Sequence, residues 1–158
     1  MSDVIDGVLY RGEILSSDEL AKCSMSGSMT VQLEAAPGIY FVGLDTPRAR
    51  ATKSLECIAI LVSRVVGESL LILYDSRIGE RAARHYRQGS LVRAFSEQDE
   101  IYVELDDVGE PISNGAKYVL SELRADGEYE TVCNAIELAL AETKWISWPN
   151  LKNALLHG

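Results

Sequence analysis

The sequence predicts an α+β domain: an antiparallel sheet of five or six strands built from hairpins, with C-terminal helices packed on it. Three observations carry that expectation. Four short apolar segments, Leu55 to Val62, Leu70 to Tyr74, Leu91 to Phe95 and Ile101 to Leu105, have strand length and lie in a chain otherwise rich in charge. Turn chemistry at Pro37-Gly38, Gly67-Glu68 and Asp106 to Pro111 punctuates them. After Pro111 the apolar spacing changes from alternation to the helical i, i+3, i+4, i+7. With 158 residues the chain suits one domain spanning 1–158, large enough to bury roughly two-thirds of its unfolded surface.

In order, Val4 to Leu15 is broken by Gly7 and Gly12 and reads as a short edge strand or an ordered arm. Ser16-Ser17-Asp18-Glu19 is a capping box flanked by Leu15 and Leu20, so a short helix is expected from Ser17 to about Ser24. Met29, Val31 and Leu33 alternate with polar residues; Pro37-Gly38 and Ile39 to Leu44 complete a hairpin. Asp45 to Ser54 reads as a polar loop. Residues 57–62 are apolar at every position, which predicts a strand covered on both faces, turning at Gly67-Glu68 into Leu70 to Tyr74.

Glu80 to Gln88 is expected to be a helix stopped by Gly89, and two more strands follow to Leu105. Ser113 caps a helix with Ala116, Val119, Leu120 and Leu123 on one side. A longer helix carries the stripe Tyr129, Val132, Cys133, Ile136, Ala139 and Leu140, and a last turn or helix reaches Leu156.

Charge is unevenly spread. The net of −9 divides into −5 over residues 1–47, +5 over 48–93 and −9 over 94–158. Nucleic acid and anionic membranes are poor partners for so acidic a chain, because phosphate neutralisation needs a positive face. No apolar run approaches the ~20 residues that span a bilayer, and the N-terminus lacks a signal pattern, so the expected address is cytoplasmic. Cys23, Cys57 and Cys133 are spaced for neither disulfide pairing nor zinc and read as buried thiols.

Candidate sites are few. Arg77, Arg81 and Arg84 would stack on one helical face if the helix starts early enough, flanked by His85, and could bind a carboxylate or phosphate; an arginine face solvated or paired within the protein is the simpler account. Glu104, Asp106, Asp107 and Glu110 lack calcium-loop spacing, so no metal is expected. Tyr74, Asp75, Ser76 and His85 form no recognisable triad, no catalytic residue is assigned, and no phosphate loop or cofactor motif is present. Trp145, Trp148 and Leu151 either latch over the core or form an interface with a partner, tryptophan being enriched at hot spots. The expected function is a non-enzymatic protein-binding module of the adaptor, secretion-chaperone-like or immunity type, self-associating as a homodimer. The alternative is a small enzyme or anion-binding protein using the Arg77/Arg81/Arg84 face with His85.

Overall fold

A computed structural model describes residues 4–22, 30–44, 48–76, 80–98, 101–103, 117–119 and 135–156. Its strands are β1 (Val4–Arg11), β2 (Thr30–Ala36), β3 (Ile39–Leu44), β4 (Glu68–Asp75), β5 (Glu80–Arg87), β6 (Ser90–Gln98), β7 (Ile101–Val103) and β8 (Lys117–Val119). The helices are α1 (Ser17–Ala21), α2 (Arg48–Val66), α3 (Ala135–Thr143) and α4 (Trp148–Leu156). The strands form one antiparallel sheet in the order β2-β3-β1-β4-β5-β6-β7-β8, so six long strands are extended at one edge by two of three residues. The α+β class and the antiparallel sheet stand as expected.

Helices cover both faces. On one, Ile5, Leu9, Phe41, Leu70, Ile72 and Tyr74 pack with Ile136, Leu140, Trp148 and Leu151 from α3 and α4. On the other, Val8, Tyr10, Val42, Leu71 and Leu73 meet Leu55, Ile58, Ala59 and Val62 of α2, with Leu20 of α1. Strand β4 lies between these layers and is buried at every position from Ser69 to Asp75. At about 25 cal/mol per Å² of apolar surface removed from water, the two layers supply most of the drive to fold.

Several local expectations hold because their chemistry is local. The backbone N–H of Glu19 donates to Ser16 Oγ at 3.2 Å, capping α1. Pro37-Gly38 turns β2 into β3, with Gly38 at φ +76°. Ile136, Ala139 and Leu140 form the buried stripe of α3.

Six expectations are corrected. Leu55 to Val66 belongs to a helix, α2, which also takes up Arg48 to Ser54 of the expected loop. Leu55, Ile58, Ala59 and Val62 face the sheet at helical spacing, and Ser69 Oγ fastens the helix by donating to the Ala59 carbonyl at 2.7 Å. Gly67 is accordingly not a hairpin turn but the residue that ends α2. Its φ is +103°, and its N–H donates to the Ser63 carbonyl at 2.9 Å. Glu80 to Arg87 is a strand, hydrogen-bonded to β4 on one side and β6 on the other. Pairing on both sides overrides the helical preference of Glu-Arg-Ala-Ala-Arg. The β5–β6 connection is the two-residue turn Gln88-Gly89, both at positive φ, the twist that a tight hairpin requires.

β1 is the third strand from the edge rather than an edge strand or an arm. Gly7 makes that place possible, because the Phe41 ring and the Val42 carbonyl occupy the space where a side chain would stand. Lys117–Val119 is a strand where a helix from Ser113 was expected. The rest of that predicted helix lies outside the described residues, as do Cys23, Arg77, Cys133, His157 and the acidic residues 104–110.

Candidate functional site

The long helix α2 buries one side and presents the other. Facing outward are two rows at four-residue spacing, Glu56-Ile60-Arg64 and Lys53-Cys57-Leu61-Val65. Ile60 and Leu61 are half-buried, Cys57 is exposed and Val65 is 49% exposed. Lys53, Glu56, Cys57, Ile60, Leu61 and Arg64 line a shallow hollow of about 470 Å³. Among the described residues neither Lys53 nor Arg64 is ion-paired; both line the hollow, and the Arg64 side chain lies against Gly89 of the β5–β6 turn. Glu56 Oε1 accepts from Arg84 of β5, which holds one end of the outer row in place.

This surface was missed in the sequence, where Cys57 read as a buried thiol. The signal was present nonetheless. Residues apolar at every position of a helix give it two apolar sides, one for the core and one left over.

The arginine face is not assembled. Arg81 and Arg84 are three residues apart on β5, so they leave opposite faces of the sheet and cannot share one anion. Arg84 reaches Glu56 and lies beside Tyr86, whose phenol is pushed above its ordinary value chiefly by burial. His85 Nε2 lies 3.1 Å from Glu68 Oε2, and Arg87 Nε lies 3.4 Å from Glu68 Oε1. A cleft of about 200 Å³ beside them is lined by Arg11, Glu68, Arg87 and Trp145. Glu68 already engages Arg87 and the His85 ring, so its carboxylate offsets positive charge that an incoming anion would need.

Trp148 and Leu151 are core residues, 7% and 0% exposed, and Trp148 meets Tyr74 edge-on with ring centroids 5.1 Å apart. They are placed as a latch, and of the three interface candidates only Trp145 is half-exposed. Lys152 Nζ lies over both rings, 5.5 Å from Tyr74 and 5.7 Å from Trp148, covering the latch from outside. A second hollow of about 460 Å³ lies along α3 and α4, lined by Glu137, Leu140, Lys144, Ile146 and Trp148.

Compared with protein-family models, curated proteins and solved structures, the chain matches none. Among the described residues no group of three His, Cys, Asp or Glu side chains is gathered to hold a metal ion. No described helix is long and apolar enough to cross a membrane.

Proposed function

We propose that this chain is a non-enzymatic protein-binding module that docks a partner helix along the outer face of α2. The observation that carries the reading is the leftover apolar row Cys57, Leu61 and Val65 beside Ile60, bordered by Lys53 and Arg64. An amphipathic helix laid on such a surface buries its own anchors at i, i+3, i+4 and i+7. The long stems of Lys53 and Arg64 extend the apolar contact while their charged heads stay in water. Acid and base on the same face, Glu56 and Arg64, set the direction in which a partner lies.

The test uses a fluorescein-labelled synthetic helix with leucines at that spacing and mixed Glu/Lys flanks, followed by anisotropy. Wild type is expected to bind with a dissociation constant of roughly 100 μM or tighter, and Leu61→Asp to weaken it about tenfold. Lys152→Ala, on the opposite face of the sheet, is expected to leave binding unchanged. A wild-type protein that ignores the peptide, or a Leu61→Asp variant that binds it equally well, removes this reading.

A further inference from the structure

We infer that the occupant of the α2 face is a second copy of this chain, with the two α2 helices packed antiparallel about a two-fold axis at Ile60. The inference rests on the docking reading above and names its partner. Its basis is the order of side chains along the outer row: acid at Glu56, apolar at Ile60, base at Arg64. The row is its own complement when reversed. A two-fold axis at Ile60 sets Ile60 against its counterpart and brings Glu56 opposite Arg64 of the second copy, twice over.

The spacing suits that arrangement. Glu56 and Arg64 each lie four residues from Ile60, about 6 Å along the axis at 1.5 Å per residue. Helices that interlock four-residue ridges cross at about 50° and approach to 8–10 Å. At about 6 Å from the crossing they have diverged by only roughly 5 Å, within the reach of Arg and Glu side chains. Leu61 and Cys57 flank the axis and fill the space beside the Ile60 pair. Glu56 accepts from Arg84 through Oε1, so the pairing with Arg64 of the second copy falls to Oε2. A parallel pairing would set Arg64 beside Arg64 and Glu56 beside Glu56, so the charges select the antiparallel arrangement.

The contact is small. One helix face covers less than the ~800 Å² per partner of a standard interface, so a dissociation constant on the order of tens of micromolar is expected. The seven-residue strand β2 ends the sheet on one side, but its ladder is not needed for this pairing.

Sedimentation equilibrium on the full chain, from about 5 to 500 μM, reads the mass. Wild type should rise from 17.4 kDa at low concentration towards twice that value. Arg64→Glu and Glu56→Arg should each remain monomeric, because each sets like charges together at both ends of the row. An equimolar mixture of the two variants, and the double swap in one chain, should restore the dimer. Each variant is first checked for a cooperative thermal melt. If Glu56→Arg fails that check through loss of its Arg84 contact, Arg64→Glu against Arg64→Ala decides, and the glutamate must weaken association more. A wild type that is monomeric throughout, an Arg64→Glu chain that dimerises like wild type, or folded single swaps whose mixture stays monomeric overturns the inference. A monomer that still binds the peptide helix overturns this inference alone. A monomer that binds no peptide removes the docking reading as well.

Discussion

Replacing Gly7 by alanine tests whether β1 is an interior strand held against β3. A methyl group there would lie 2.4 Å from Phe41 Cζ and 2.6 Å from the Val42 carbonyl oxygen. Carbon atoms in contact prefer about 3.5–4.0 Å, so the ring must retreat by more than 1 Å. The ring has little room, since Phe41 is 6% exposed and sits in the core layer under α3 and α4. The carbonyl is backbone and moves only if the β1–β3 pairing moves with it. Overpacking of this kind costs about 1–3 kcal/mol, against roughly 0.5–1 kcal/mol recovered by removing a glycine from a strand. A net loss of about 1 kcal/mol is expected as a fall in the urea midpoint at unchanged slope. Phe41→Leu should relieve part of the collision, so the double variant should lose at least about 0.5 kcal/mol less than the sum of the singles. A Gly7→Ala midpoint equal to or above wild type, or strict additivity with Phe41→Leu, would refute the placement of β1 beside Phe41.

Three further outcomes follow from the same architecture. Ile72→Ala, in the middle of β4, should cost about 2–5 kcal/mol in denaturant melts, whereas Ile60→Ala on the half-buried side of α2 should cost clearly less; equal losses would contradict the orientation of α2. Ser16→Ala should lose about 0.5–2 kcal/mol in thermal melts, with Ser16→Asp near wild type, and neutrality of the alanine variant would exclude the cap. Tyr10 should make the fold alkali-sensitive: its phenol bonds Gln32 Oε1, accepts from the Leu15 N–H at 3.2 Å, and is pushed up to about 12, chiefly by burial. Because the folded state holds this proton more tightly, its contribution is complete below the ordinary pKa of 10.0 and is lost as pH rises towards about 12, roughly 2–3 kcal/mol in all. Urea midpoints from pH 9 to 12 should fall more shallowly in Tyr10→Phe than in wild type, with Tyr40 and Tyr86, also raised, adding to the slope that remains; identical slopes would show that Tyr10 is not the group responsible.

The elements legible in the sequence are those whose cause is local. Ser16 caps α1 through a bond spanning three residues, Pro37-Gly38 presets its own turn, and the stripe Ile136, Ala139, Leu140 has only a helical reading. β4 was legible for a different reason: apolar on both sides and short, it suits the middle of a covered sheet under either period. The exchange of helix and strand at residues 55–66 and 80–87 shows where locality ends. The run 57–62 is apolar at every position, so it carries no period of its own. Glu80 to Arg87 favours a helix in isolation, yet the tight Gln88-Gly89 turn and the free edge of β4 pair it into the sheet.

The candidate site inherited this ambiguity. A helix reaching back to Arg77 would gather three arginines; as a strand, 80–87 sends Arg81 and Arg84 to opposite faces. As a strand, 55–66 would hide Ile60 and Leu61; as a helix, it aligns Glu56, Ile60 and Arg64 in one outward row. By itself the sequence determined the α+β class, the Ser16 cap, the Pro37-Gly38 turn and which runs are apolar, because these depend on residue type and near neighbours. The tertiary structure decided which apolar run lies in the sheet and which lies on it, and hence which side chains share a surface. Strand pairing is a contest among distant segments, and no single segment records its outcome.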